Sequence, residues 1–456
     1  MSFPRAGLAS MSPALKPLGL AIALAFAAAG AQAQSLSEVV NAARTYDATY
    51  LGAKSTADAA QARYEQSRSL HLPSANLTVT GQRGVTNTPY TVPSSSSQTT
   101  ADATVGASQT LFNRQNDLQI DQAQKLVDVA TSQLAQAEQD LVVRVAQAYF
   151  NVLASADALQ TEQANSKAIA EQLASAKRNF EVGNATITDT REAEARFDLA
   201  RSQEIAGEND LQVAHVTLDQ LVGRNGIVPH PIQLPTTLPP VMPSQASDWV
   251  SLAEGDNPQL KQAKLALEVA ELETSRQKAG YLPTITAQAS YGRNHAHDEA
   301  TGPVGIGGTV GGNGSTNNLQ LVLSMPLFTG GLIQNRVSEA RALEQKARTD
   351  AEGARNSVTL ATRQAFLGAQ SLNAQVKALE AAESSSKLAL DATTLGYKVG
   401  VKVNLDVLNA QSQLFTTQRD LAAARYNYLV ATLKLRQAAG TLVSNDLLPI
   451  DALLVK

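Results

Sequence analysis

Phe180-Glu181-Val182-Gly183 recurs as Tyr397-Lys398-Val399-Gly400, and Asp189 recurs at the same offset as Asp406. Leu111-Phe112 returns as Leu327-Phe328, and Leu72-Pro73 as Leu282-Pro283, at nearly that offset again. A spacing that drifts so little across half a chain marks two homologous halves, roughly 35–223 and 248–440. Between them, Val228 to Pro243 carries Pro229, Pro231, Pro235, Pro239, Pro240 and Pro243. Proline at that density excludes helix and suits an extended connector.

Upstream of each repeated tetrapeptide lies a long helical stretch. Gln115 to Phe180 has neither Pro nor Gly, and Gln334 to Leu395 has Gly353 and Gly368 but no Pro. At ~1.5 Å per residue the first is on the order of 100 Å of helix. Val142, Val143, Val145, Ala146, Ala148, Tyr149 and Val152 are apolar on more than one face. Such a helix packs between two neighbours, which suits a tube of helices.

Further out, each half holds two segments that alternate with period 2. Leu77 and Val79 alternate with Asn76, Thr78 and Thr80, and Ala101, Ala103, Val105 and Ala107 with Asp102, Thr104 and Ser108. Ile285, Ala287, Ala289 and Tyr291 oppose Thr284, Thr286, Gln288 and Ser290, and Leu319, Leu321, Leu323 and Met325 oppose Gln320 and Ser324. About ten residues of alternation is the length of a membrane-crossing barrel strand. An antiparallel sheet with one wet face alternates in the same way, but faces of Ala, Thr and Ser would bury poorly. Polar loops are expected at Val85–Thr100, with Ser94 to Ser97, and at the Gly-rich Asn294–Asn318. Four strands cannot close a barrel, and an open edge cannot stand in lipid. Two chains would give a filled eight-stranded barrel, so three or more chains are expected.

The N-terminus carries Arg5 and Lys16, an apolar run from Leu18 to Ala29, and Ala31-Gln32-Ala33. This is the layout of a cleaved secretory signal peptide. Its removal would take the net charge from −4 to −6. No later stretch approaches the uninterrupted apolar length of a membrane-spanning helix. The 456 residues include no Cys, which removes disulfides, thiolate metal sites and a lipid-bearing cysteine. Aromatics are only 4%, with a single Trp249, which suits helices packed through Ala, Leu and Val. The acidic balance argues against nucleic acid as a partner.

Motifs for catalysis are missing: no H-E-x-x-H, no G-x-S-x-G and no phosphate-binding G-x-x-x-x-G-K-[ST]. His295-x-His297, beside Asp298 and Glu299, reads as a surface loop without the rigid geometry a metal needs. Gly305, Gly307, Gly308 and Gly311 miss the dinucleotide spacing, since Val310 interrupts it. Tyr149, Phe150, Phe366 and Tyr426 read as helix packing. No enzyme activity and no cofactor are expected.

Gly396-Tyr397-Lys398-Val399-Gly400-Val401-Lys402-Val403-Asn404-Leu405-Asp406-Val407-Leu408-Asn409-Ala410, followed by Ala424-Arg425-Tyr426-Asn427-Tyr428, is the most specific stretch of the chain. Together with Asn179-Phe180-Glu181-Val182-Gly183, Ile187-Thr188-Asp189, Leu282-Pro283 and Pro326-Leu327-Phe328-Thr329-Gly330-Gly331, it resembles the TolC family of trimeric outer-membrane channel-tunnels. The resemblance covers nearly all of the chain beyond the signal peptide. It implies an α+β membrane protein built from a duplicated half. Four transmembrane β-strands per chain would enter a 12-stranded trimeric barrel, and the long helices a periplasmic α-helical barrel. The order expected is a signal peptide at 1–33, helix at 34–74, a barrel hairpin at 75–112, and long helix, tip and return helix at 113–223. A connector at 224–247 leads to the second half: helix at 248–282, hairpin at 283–328, and long helix, tip and return at 329–440. A segment at 441–456 has no assigned role.

The resemblance also implies a homotrimer in outer-membrane lipid, docked through a periplasmic adaptor to an inner-membrane ABC or proton-driven transporter. The duct would be passive and would export proteins, as in type I secretion, or small toxic molecules. Its gate would lie at the turns marked by Gly183 and Gly400. Asp406 would project into the narrowest ring, and Asn409 stands where the family usually has a second carboxylate. Tyr397 and Lys402 would tether the inner helix pair, with Thr188 and Asp189 on the partner side. Lys402 replaces an Arg and loses its planar fork. Chemistry alone reads these residues more simply. Gly183 and Gly400 are left-handed helix caps, and Asp189 and Asp406 favour helix N-termini. The alternative function is a non-transporting structural coiled-coil surface protein, which would need a sustained heptad pattern.

Overall fold

The computed structural model describes residues 34–87, 95–183, 185–233, 237–301 and 308–455. The expected signal peptide, Pro235 of the connector, and Ser94, Gly305 and Gly307 of the interstrand loops lie outside the described residues. Elements come in the same order twice. The first half runs α1 (Leu36–Arg44), α2 (Ala48–Arg68), β1 (Ser74–Asn87), β2 (Ser95–Phe112), α3 (Arg114–Glu181) and α4 (Ile187–Val222). The second runs α5 (Ala246–Asp256), α6 (Pro258–Lys278), β3 (Thr284–Thr301), β4 (Gly308–Ser324), α7 (Leu332–Lys398) and α8 (Asn404–Ala438). A short α9 (Leu448–Asp451) follows. The long helices α3 and α7 have 68 and 67 residues, so the two halves are matched in length.

The chain forms two compact units, and neither is one of the sequence halves. Gly52–Ala137 and Glu254–Leu360 make one unit, which contains all four strands. The strands form one antiparallel sheet in the order β1-β2-β3-β4. Ala75, Ala107, Ala289 and Leu319 lie in one cross-strand row, and a bulge at Thr110/Phe112 shifts the β2 register. Side chains alternate between faces, so residues two apart share one. Leu77, Val79, Val105, Tyr291, Leu319, Leu321 and Leu323 fall on one face, and all are more than half exposed. The other face carries Thr78, Thr80, Asp102, Thr104, Gln288, Ser290 and Gln320. In the same unit α3 is fastened to α6: Gln122 donates to Glu273 at 2.9 Å and Lys125 pairs with Glu268 at 2.7 Å.

The strands are longer than the alternation predicts, and the loops correspondingly shorter. β1 continues to Asn87, β2 begins at Ser95, β3 continues to Thr301 and β4 begins at Gly308. Most of the expected loops at Val85–Thr100 and Asn294–Asn318 is therefore paired strand. Backbone pairing persists where both faces have turned polar, and there hydropathy no longer alternates. His295 and His297 stand on β3 rather than in a loop.

Among the described residues, those within 34–51, 138–253 and 361–455 make the other unit. Its main core joins Leu36, Val39 and Val40 of α1, the α3 stretch from Leu141 to Leu153, the end of α4, and Leu429, Val430 and Leu433 of α8. Leu442, Leu447, Ile450 and Leu454 complete it, so the segment after α8 is structural. Asp451 accepts the backbone N–H of Leu36 at 2.9 Å and satisfies a free donor at the start of α1. Tyr149, Phe150 and Tyr426 are core rings in edge and stacked contact. Phe366 packs with Trp249 and Leu435 in a smaller cluster. Asp47, nearly buried, takes both arms of Arg144 at 2.9 and 3.0 Å. Burial alone would raise the Asp47 pKa, but the Arg144 contacts hold it below the usual carboxylate range.

Candidate gate at the helix tips

Both long helices end in the same way. Gly183 and Gly400 adopt φ of 79° and 78°, the left-handed region that favours Gly, and each donates its N–H three residues back, to Phe180 and to Tyr397. Both turns are open to the outside. Val182, Val399, Val401 and Val403 are each more than half exposed, and Phe180 is 43% exposed. Beneath them the tip is held by a small core of Ile169, Ala176, Ala193, Ala200 and Leu408, with Leu173 and Phe197 against it. Alanine at these contacts lets helices approach closely while leaving little apolar area to bind them.

Asp189 and Asp406, equivalent in sequence, have different surroundings. Asp189 is locked in a capping box. It accepts Thr186 N–H at 2.9 Å and Thr186 Oγ1 at 2.8 Å, while its own N–H donates to Thr186 Oγ1 at 3.2 Å. At the second tip the cap position is Val403, which has no side-chain acceptor. Asp406 keeps only the reciprocal half, a long 3.4 Å bond from Val403 N–H. Its other partner is Lys402 Nζ at 3.6 Å, and both side chains are exposed. A β-branched hydrocarbon in place of Thr thus leaves one carboxylate much less occupied by its own helix.

Tyr397 Oη accepts from Asn179 Nδ2 at 3.3 Å, which ties the end of α7 to the end of α3. Asn409 Oδ1 accepts from Arg196 Nη2 at 3.0 Å, and Arg196 also lies 3.7 Å from Glu192. Thr188 is exposed. Within one chain, among the described residues, no hydrogen bond or ion pair joins Tyr397 or Lys402 to Thr188 or Asp189. Lys402 instead folds back on its own turn, and its Cγ would come within 2.9 Å of a Cβ at Gly396. Asn179 and Arg196 are the residues that sequence reading missed. The i, i+4 spacing of Glu192 and Arg196 is a sequence signal that could have found Arg196. No group of three or more His, Asp or Glu side chains suited to a metal ion occurs among the described residues.

The chain matches the family described as "Outer membrane efflux protein" over residues 39–224 and 249–441, one match in each half. It is 31% identical over 442 residues to the outer membrane protein TolC of Vibrio cholerae, covering 96% of this chain and 98% of that one. It is also 31% identical over 317 residues to the alkaline protease secretion protein AprF of Pseudomonas aeruginosa, covering 68% and 63%. Among solved structures, the outer membrane protein VceC of Vibrio cholerae superposes with a TM-score of 0.72 at 19% identity, covering 89% of this chain and 96% of that one. The chain is an outer-membrane protein, and it belongs to the outer membrane efflux protein family.

Proposed function

We propose that three copies of this chain join their sheets into a 12-stranded barrel and their helices into a tube, and that the assembly is a passive exit duct. The observation that carries this reading is the four-stranded sheet itself. One of its faces is apolar and exposed, and β1 and β4 each have an unpaired edge. In lipid an open edge is untenable, and closure by copies removes it. No nucleotide-binding motif is present, so energy comes from an inner-membrane ABC or proton-driven transporter. A periplasmic adaptor links that pump to the exposed valines of the tips.

The gate belongs at the tips. Asp406 lines the constriction beside Asn409, whose amide is already engaged by Arg196. Lys402 and Tyr397 hold the inner helices, with Thr188 and Asp189 as their partners on the next chain. Support comes from Asp189 and Thr188 lying at an exposed helix start, and from Lys402 being held within its chain only by a long, solvated ion pair. Cargo is protein or small toxic molecules. The names of the relatives include both protease secretion and cation efflux. Mass measurement of the detergent-purified protein tests the assembly. Three times the chain mass is expected, and a monomer at micromolar concentration would overturn it.

A further inference from the structure

The charged residues of the sheet are sorted by face. Along β3, moving away from the helices, one face carries Ile285, Ala287, Ala289, Tyr291, Arg293, His295 and His297. The strand register sets Tyr291 in a row with Val105 and Leu77, Arg293 with Ala103 and Val79, His295 with Ala101 and Gly81, and His297 with Thr99 and Arg83. Every Arg and His of the described strands is therefore on the apolar face. Asp102 and Asp298 are on the other, and Glu299 alone among the acids of the described strands shares the face of the Arg and His residues, beyond His297.

The order up this face is aliphatic, then aromatic, then Arg and His. Aliphatic residues mark acyl chains, and tyrosine marks the boundary with the headgroups. The Arg and His side chains begin two residues past Tyr291, about 7 Å along the strand, and end at His297, about 20 Å past it. Arg83 and His297 stand two strands apart, about 10 Å, with only Thr99 between them. Small side chains leave a hollow beside Arg293 and His295. This cavity of about 310 Å³ is also lined by Val79, Ala101, Ala103, Asn313, Asp102 and Asn294, and Arg83 and His297 stand outside it. His295 is held against Asn313 Oδ1 at 2.8 Å, and the His297 ring lies over Gly311, where a Cβ would come within 3.2 Å of Nδ1.

We propose that this cradle of Arg83, Arg293, His295 and His297 binds the phosphate groups of a phosphorylated lipid of the outer leaflet. Guanidinium matches phosphate oxygens with a planar fork. Continuity with the apolar band selects a lipid over a soluble anion, because the acyl chains then lie on Leu77, Val79 and Tyr291. The inference rests on the barrel reading in placing this face outward.

The test is native mass spectrometry of the full chain purified in mild detergent and exposed to lipid A, the bis-phosphorylated disaccharide lipid of outer leaflets. Its dephosphorylated form and inorganic phosphate serve as comparison probes. The wild-type protein should retain the bis-phosphorylated lipid about tenfold better than the dephosphorylated one, and inorganic phosphate should not displace it. Arg83→Ala with Arg293→Ala should remove that preference, Arg83→Lys with Arg293→Lys should keep part of it, and Asp298→Asn on the opposite face should leave it unchanged. Equal retention of both lipids by the wild type would overturn the proposal whether or not any variant folds. Displacement by inorganic phosphate would overturn it in favour of a free-anion site. The same spectra report oligomer mass: a trimer without lipid preference sinks only the lipid site, whereas a monomer sinks the barrel reading and the site with it.

Discussion

The two tip aspartates show how a single neighbour decides what a residue is free to do. Asp189 has Thr186 at the cap, and one of its oxygens, Oδ2, accepts both Thr186 bonds there. Asp406 has Val403 at the equivalent place and spends almost none of its capacity on the helix. An acid in the first turn still favours the helix dipole, by about 0.5 kcal/mol at an exposed site. Asp406→Asn keeps the shape and removes one charge per chain. In planar bilayers under a salt gradient, its reversal potential is expected to move toward zero relative to the wild type. An unchanged reversal potential would remove Asp406 from the constriction.

At the scale of elements, one of the links between α3 and α6 is a strongly ordered carboxylate. Glu273 accepts both Arg276 nitrogens at 2.8 and 2.7 Å, with Gln277 and Gln122 adding further bonds. Its pKa is lowered from 4.5 to about 2, chiefly by the Arg276 hydrogen bonds, against the opposing effect of burial. A depressed carboxylate stabilises the fold above its unfolded pKa and loses that contribution as pH falls through the folded value. Stability is therefore expected to decline between about pH 4.5 and pH 2, by about 1–2 kcal/mol after allowance for solvent screening. Acid unfolding of Glu273→Gln, followed by circular dichroism, should show a flatter slope in that window. An identical slope would mean that the interface carries no such linkage.

Element order was legible because hydrophobic period is local: period 2 named four strands, and uninterrupted Ala- and Leu-rich sequence named the helices. Strand ends were not legible. Past Tyr291 both faces of β3 are polar, and only pairing to β2 and β4 keeps it extended. The role of Leu442 to Leu454 was equally hidden, since no pattern within so short a segment reveals that it closes a core around α1. At the tips, Gly183, Gly400, Asp189 and Asp406 could be found from the repeat. Asn179 and Arg196 could not, because their partners Tyr397 and Asn409 lie in the other half of the chain.

For the whole molecule, duplication and incompleteness belong together. Each half supplies one strand pair and one helix hairpin, and a chain of two halves still leaves a sheet with two open edges. A surface fibre would need heptad seams and would have no use for an apolar sheet face. Symmetric closure by copies uses both features. The measurement that tests this account most directly is single-channel recording of the purified trimer, wild type beside Lys402→Ser. The account predicts discrete, low, cation-selective conductance from the wild type, and a several-fold larger open fraction once Lys402 no longer restrains the tip. Silence from both proteins, or wild-type and Lys402→Ser channels of equal conductance and open fraction, would contradict a gate at the helix tips.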